Sequence, residues 1–174
     1  MERLIKKILI LSAVGFCVTV LYFALKVDHT YNTKSLINRT IPQFQFKQLN
    51  QDGLIENNNL NKNFTLINFW ASWCAPCKIE HKYLMELKES LDDEVLLLGI
   101  NFKDKKENAN NFLTTLGNPY HYVGIDRDGK GSVDFGIYGI PETILVDQNQ
   151  IILLKFIGPL SEDDAIKIKN KINE

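Results

Sequence analysis

The chain has 174 residues, 45% of them hydrophobic and 24% charged, which is enough for one folded domain with a core and one further segment. The formal net charge at pH 7 is −1, and no block rich in lysine and arginine occurs in the sequence. Such a block is the usual electrostatic signature of nucleic-acid binding. We therefore expect no nucleic-acid partner.

The N-terminal part of the chain contains an apolar run without charges over residues 8–25. A helix of about 18 residues crosses most of the hydrocarbon core of a bilayer. Basic residues precede the run and an acidic residue follows it closely, which predicts that the N-terminus stays in the cytoplasm and that the rest is exported. We predict a cytoplasmic tail, a single transmembrane anchor, a tether and a folded domain over residues 1–7, 8–25, 26–40 and 41–174.

A cleaved signal peptide is the alternative interpretation of this N-terminal segment. The apolar run is longer than the roughly 7–15 residues of a signal-peptide core, and no small-x-small cleavage site follows it. Cys17 lies inside the run directly after the bulky Phe16, which makes it a poor site for lipid attachment. We interpret Cys17 as an apolar residue of the span.

The exported part begins with a strand, helix and strand pattern. Residues 64–70 form an almost unbroken apolar and β-branched run, typical of a strand covered on both faces. Apolar residues at helical spacing follow from Cys74 onwards and predict a helix that starts at the cysteines. Residues 95–101 predict a second buried strand and residues 106–116 a second helix, so the two strands are expected to be parallel.

The end of the chain predicts a hairpin and a final helix. Residues 142–147 and 151–158 read as two strands with a short connection. Ser161, with Asp164 three residues later, forms the pattern of a capping box at the start of the last helix. The predicted fold class is α/β, with a mixed central sheet flanked by helices in three layers.

The cysteine pair in "WCAPCK" is the strongest chemical signal. A thiol attacks a disulfide as its thiolate, and a cysteine at a helix N-terminus has a lowered pKa because of the helix dipole and free N–H groups. Cys74 occupies this position, and Cys77 lies on the same helical face. We predict that Cys74 is the accessible nucleophile and that Cys77 is the shielded resolving thiol.

Three other functions are conceivable for the cysteine pair: a structural disulfide, a zinc site and haem attachment. A structural disulfide is possible in an exported domain, but a loop this small restricts the unfolded chain little. Cys74, Cys77 and His81 share a helical face, yet a zinc site would need a fourth ligand such as His29 or His121. Covalent haem attachment requires C-x-x-C-H, whereas Lys78 follows the second cysteine. No metal and no cofactor other than the redox-active disulfide are expected.

Several stretches together resemble a known family. "FWASWCAPCK" is similar to the active site of thioredoxin-like proteins. "WCAPCKIEH", "GINFKD", "GIDRDGKGSVDFGIYGIPETILVD" and the N-terminal anchor resemble the cytochrome c biogenesis thiol:disulfide interchange proteins, the CcmG or DsbE family. The resemblance covers nearly the whole exported domain and implies a thioredoxin-like fold facing the periplasm from the inner membrane.

The resemblance also implies an activity and partners. Members of this family reduce disulfides during cytochrome c maturation and receive electrons from a membrane disulfide reductase. The implied partners are apocytochrome c, whose C-x-x-C-H thiols are kept reduced, or another maturation protein. "Ala-Pro" between the cysteines, like the Gly-Pro of thioredoxin, favours a reductant. A broader periplasmic reductase or isomerase and a thiol metallochaperone stay open as alternatives.

Site residues follow from the resemblance position by position. Cys74 and Cys77 would be the redox pair, and Glu142 an acidic neighbour. Pro141 would be a cis-proline, and a cis turn exposes backbone groups that pair with an extended substrate. The residues expected to contact substrate are Trp73, Ala75, Pro76, Gly139, Ile140 and Pro141; Trp73 is expected to be exposed.

One position departs from thioredoxin. Thioredoxins usually carry a buried aspartate before "FWA", and this chain has Asn68, which cannot accept a proton. Glu80 and Glu142 are the nearby carboxylates. Our hypothesis from the sequence is that Glu142 assists Cys77, while Glu80 is either a second participant or a solvated helix residue.

Overall fold

The computed structural model describes residues 2–26, 36–91 and 95–174. The chain divides into two units, one ending at Asn32 and the other running from Thr33 to the C-terminus. The first unit contains helix α1, Glu2–Lys26, which is long and apolar enough to cross a membrane. Most of the predicted tether, residues 27–35, lies outside the described residues.

The second unit is built on one seven-stranded sheet. Its strands and helices are β1 (Gln45–Gln48), β2 (Leu54–Glu56), β3 (Phe64–Trp70), α2 (Ala75–Ser90), β4 (Val95–Phe102), α3 (Lys106–Leu116), β5 (Tyr122–Asp126), α4 (Lys130–Asp134), β6 (Glu142–Asp147), β7 (Ile152–Ile157) and α5 (Glu162–Ile172). A short 3-10 helix, Asn57–Asn59, follows β2.

The sheet is mixed, as predicted. Its strand order is β2-β1-β5-β4-β3-β6-β7. β3, β4 and β5 are parallel neighbours, and the remaining pairs are antiparallel. β3 lies between β4 and β6, so both of its edges are hydrogen-bonded. Every residue of β3 after Phe64 is buried, so the strand is covered on both faces, as its apolar run predicted.

Two apolar clusters cover the two faces of the sheet unequally. On one face, α2, α3 and α5 pack through residues such as Leu84, Phe112 and Ile168. On the other face, the core is covered by Phe135 and Ile137, which follow the short α4, and by apolar residues at the beginning of the domain, before β1. The three-layer prediction is therefore confirmed, with a full helical layer on one face and a thin layer of loops on the other.

The predicted tether extends too far towards the domain. The N–H of Asn38 donates to the Ile152 carbonyl at 2.8 Å, and Thr40 forms a β-bridge with Ile151. These backbone bonds attach residues 38–40 to Ile151, at the end of the turn after β6, and to Ile152, the first residue of β7. The folded domain consequently begins before residue 41.

Helix ends follow the sequence signals. The Ser161 hydroxyl accepts from the Asp164 N–H, and the Asp164 carboxylate accepts from the Ser161 N–H, so the predicted capping box is present. Cys74 is the N-cap of α2, and its sulfur accepts from the Cys77 N–H at 3.2 Å. The cysteine pair therefore lies at a helix N-terminus, directly after the central strand.

Candidate active site

Cys74 and Cys77 form a disulfide across the first turn of α2. Their Cα atoms are 5.3 Å apart. Pro76 occupies the second helical position, where a missing N–H costs nothing because the first-turn N–H groups have no partner within the helix. This Cα separation lies within the usual range for two cysteines joined by a disulfide.

The expected difference in exposure between the two cysteines is small in this disulfide form. Cys74 is 4% exposed and Cys77 is 2% exposed, so the prediction of an open Cys74 is wrong for the oxidised protein. Each sulfur is covered by its bonded partner, and the Ile140 carbonyl lies 3.8 Å from the Cys74 sulfur. Ala75 and Pro76, which follow Cys74, are exposed, so the disulfide lies close to the protein surface.

The loop before β6 faces the disulfide. The Ile140–Pro141 peptide bond is cis, as the resemblance implied. Because a disulfide carries no S–H, the 3.8 Å approach of Ile140 O to Cys74 Sγ is a contact here and becomes a weak hydrogen bond only in the dithiol. Gly139 is exposed and Ile140 is half-buried, which leaves backbone of this loop open beside Cys74.

Trp73 is 58% exposed, as predicted, and its position is fixed. Its indole N–H donates to the Lys103 carbonyl at 3.1 Å. The backbone N–H and the hydroxyl of the neighbouring Ser72 donate hydrogen bonds to the Asp104 carboxylate, at 2.6 and 2.9 Å. Hydrogen bonds from Ser72 and Trp73 to the segment after β4 thus fix the residues directly before Cys74.

A buried polar network connects β3 to α2, the helix that begins at the cysteine pair, and the sequence did not reveal it. The Asn68 amide donates to Glu80 Oε1 at 2.8 Å and to the Thr143 hydroxyl at 2.9 Å. The Tyr120 hydroxyl donates to Asn68 Oδ1 at 2.7 Å, and the Leu160 N–H donates to Glu80 Oε2 at 2.9 Å. The amide at position 68 therefore serves as the centre that joins a carboxylate to two hydroxyls.

Glu80 is the titratable member of this network. It is fully buried, so its interpretation as a solvated helix residue is wrong. Burial raises its pKa to about 7, although hydrogen bonds from Leu160 and Asn68 act in the opposite direction. It lies one helical turn after Cys77 on α2, and both side chains are buried on the same helical face. A carboxyl group with a pKa of about 7 thus lies one helical turn from the resolving cysteine, on the same buried face.

Glu142 has a different partner from the one expected. Its carboxylate Oε2 lies 3.1 Å from the Lys155 ammonium, and both side chains are buried. The carboxylate that we expected to assist Cys77 therefore forms a buried ion pair. The residue directly after the cis-proline is fixed by this pair.

His81 faces helix α3. Its Nε2 lies 3.0 Å from the Gly117 carbonyl, and its ring contacts Phe112 edge-on. Burial lowers the pKa of His81, so the ring is neutral and donates from Nε2 at neutral pH. Within residues 2–26, 36–91 and 95–174 there is no group of three metal-binding side chains; the expected absence of a metal stays a prediction, and His29 lies outside the described residues.

Comparison with known proteins gives a consistent result. The Redoxin family model matches residues 37–172. The thiol:disulfide interchange protein HelX of Rhodobacter capsulatus is 36% identical, covering 84% of this chain and 82% of HelX. The thiol:disulfide interchange protein DsbE of Vibrio cholerae is 34% identical, covering 90% of this chain and 88% of DsbE.

A solved structure supports the same fold. The crystal structure of a DsbF homologue from Corynebacterium diphtheriae aligns with a TM-score of 0.68 at 26% identity, covering 76% of this chain and 85% of the homologue. The chain belongs to the Redoxin family and, within it, to the DsbE-type thiol:disulfide interchange proteins, which makes it a thioredoxin-like oxidoreductase.

Proposed function

We propose that this protein is a membrane-anchored periplasmic oxidoreductase that reduces disulfides during cytochrome c maturation, either in the C-x-x-C-H segment of apocytochrome c or in its carrier. The observation that carries the proposal is the disulfide at the N-terminus of α2, which faces a cis-proline loop with open backbone. The DsbE-type relatives support the assignment to this process.

In the first step, Cys74 acts as the nucleophile. Its thiolate attacks one sulfur of the substrate disulfide, the substrate S–S bond breaks, and a mixed disulfide forms while one substrate thiolate leaves. The helix N-terminus stabilises the Cys74 thiolate, and the Cys77 N–H points at its sulfur. The loop around Gly139 and Ile140 holds the substrate chain through backbone hydrogen bonds.

In the second step, Cys77 resolves the mixed disulfide. Its thiolate attacks Cys74 Sγ, the second substrate thiolate leaves, and the Cys74–Cys77 disulfide forms. The proton of the Cys77 thiol must leave before this attack, and we propose that the Glu80 carboxylate accepts it. The substrate gains two electrons and two protons, and the enzyme loses the same number. A membrane disulfide reductase supplies two electrons, and two protons are taken up with them, to restore the dithiol.

Membrane attachment is part of the proposal. Helix α1 is a candidate span near the N-terminus, and a cleaved signal peptide would pass the same test. The absence of a small-x-small cleavage site favours the anchor. The anchor would keep the oxidoreductase close to its membrane-bound electron donor.

Trapping of mixed disulfides tests the proposed function. A full-length Cys77→Ala variant cannot resolve the mixed disulfide on Cys74, so partners should accumulate on it and be identified after non-reducing electrophoresis. Cys17→Ala is introduced in all variants to exclude its thiol, and Cys74→Ala/Cys77→Ala is the control. Recovery of cytochrome c or its maturation proteins is expected. Mixed disulfides spread over unrelated secreted proteins would favour the broader reductase.

A further inference from the structure

Lys155 is a buried lysine that no step of the exchange reaction uses. It lies in β7 opposite Ile144, and its side chain is 1% exposed. An ammonium group loses most of its hydration at such a position, and this cost is offset only by close partners. The partners of Lys155 therefore indicate what its charge does.

Lys155 contacts the residues on both sides of the proline loop, which comprises residues 137–141. Its Nζ donates to the Gly136 carbonyl at 3.0 Å and lies 3.1 Å from the Glu142 carboxylate. The orientation towards Glu142 Oε2 is that of an ion pair without a well-aligned hydrogen bond. Gly136 directly precedes residues 137–141 and Glu142 directly follows them, so one ammonium joins the two ends of this five-residue loop.

This loop carries the backbone that faces Cys74. Tyr138 and Gly139 are exposed at its tip, and Ile140 O lies 3.8 Å from Cys74 Sγ. Backbone bonds hold the loop from Ile137 N to Ser132 O at 2.9 Å and from Gly158 N to Pro141 O at 3.0 Å. These two bonds fix the backbone at the two ends of the loop.

We propose that Lys155 is a positioning residue, which sets the 137–141 loop for polypeptide disulfides by holding Gly136 and Glu142 together. The inference rests on the proposed function of Cys74 and of the loop. A displaced loop loses its backbone hydrogen bonds to an extended chain, whereas a small disulfide needs only the Cys74 sulfur. Lys155 therefore favours disulfides within polypeptides over small-molecule disulfides.

The test compares two substrates with the full-length reduced protein in detergent. One is a synthetic peptide with a disulfide in a C-x-x-C-H sequence, and the other is an aromatic small-molecule disulfide. Lys155→Met should raise KM for the peptide about ten- to hundredfold with little change in kcat, because a displaced contact acts on binding. The rate with the small disulfide should change less than about twofold. Lys155→Arg keeps the charge and should restore most of the peptide KM.

Control variants separate positioning from loss of folding. Lys167→Met removes an exposed lysine that also pairs with a carboxylate, Asp164, and should leave both reactions unchanged. Lys155→Met/Glu142→Gln removes both buried charges, which often preserves folding, and should keep the raised peptide KM. Thermal unfolding of every variant monitors the fold.

The outcomes distinguish the inference from the proposed function. A wild-type peptide KM in Lys155→Met or in the double variant would overturn the positioning role alone. An equal loss with both substrates would also overturn it, because a general defect at Cys74 would then explain the data. Absence of exchange by the wild-type protein with either substrate would instead contradict the proposed function.

Discussion

At the scale of single residues, Glu80 shows what the sequence could not reveal. The cysteine motif and the exposure of Trp73 follow from local patterns, and the cis-proline follows from the family resemblance. The burial of Glu80 does not, because "CKIEHK" reads as a solvated helix start and its two hydrogen-bond partners lie 12 and 80 residues away in the sequence. The burial of the Glu80 carboxyl group is therefore set by tertiary contacts and not by the local sequence.

The raised pKa of Glu80 predicts a pH dependence of the resolving step. Below about pH 7 the Glu80 carboxyl is mostly protonated and cannot accept the Cys77 proton, so release of substrate from the mixed disulfide should accelerate as pH rises through 7. Glu80→Gln should slow this release and remove the inflection near pH 7. Stopped-flow measurement of substrate release from a preformed mixed disulfide between pH 5 and 9 checks the expectation.

Two further variants show whether the inflection near pH 7 belongs to Glu80. Glu86→Gln changes an exposed glutamate of the same helix and should keep the inflection. Glu142→Gln directly tests our hypothesis from the sequence, in which Glu142 assists Cys77. Because Glu142 is paired with Lys155, we expect the Glu142→Gln variant to keep the inflection near pH 7. Loss of the inflection in Glu142→Gln, with Glu80→Gln unchanged, would return the proton-transfer role to Glu142.

At the scale of elements, long and strongly patterned segments could be predicted, and short ones could not. Strands at 64–70 and 142–147 and the helix at 106–116 match the structure residue by residue. β1, β2, β5 and α4 were missed. They have three to five residues each, and β5 contains Gly124, so their strand and helix patterns are too short to distinguish from loops. Pairing across the sheet, rather than local sequence, stabilises these strands.

The connection between the segment after β4 and the active-site turn leads to a prediction at this scale. Asp104→Asn replaces an acceptor-only carboxylate with an amide, which leaves one donor of Ser72 without a good acceptor. We expect the free energy of unfolding to fall by about 1–3 kcal/mol and exchange to slow. Urea unfolding and the peptide assay measure the two effects. Asp128→Asn, at an exposed ion pair, should change neither; an unaltered Asp104→Asn protein would contradict the proposed connection.

At the scale of the whole molecule, the sequence predicted two parts of different character. An apolar N-terminal helix and an α/β domain are both present. The domain boundary was placed too late, because residues 38–40 carry no apolar periodicity and are held by backbone bonds to Ile151 and Ile152. Such bonds leave little signal in side-chain patterns.

Export and anchoring can be tested together. A reporter enzyme that is active only outside the cytoplasm, fused after Glu174, should be active, because the charge distribution around residues 8–25 predicts export of the domain. The protein should remain in the membrane fraction after alkaline extraction. Release into the soluble periplasmic fraction would identify a cleaved signal peptide, and activity of a cytoplasmic reporter would contradict export. A chain without residues 8–25 is the control and should give an inactive fusion.

The place where the chain enters the domain has a consequence for encounters with other proteins. Thr40 and Ile151 meet at the end of the sheet where β3 begins, and Cys74 follows the end where β3 terminates. Seven residues of extended strand separate these ends by about 20 Å. The backbone bonds that hold residues 38–40 to the domain therefore lie at the end of the sheet opposite to the end that Cys74 follows, so a partner protein can reach Cys74 without displacing them.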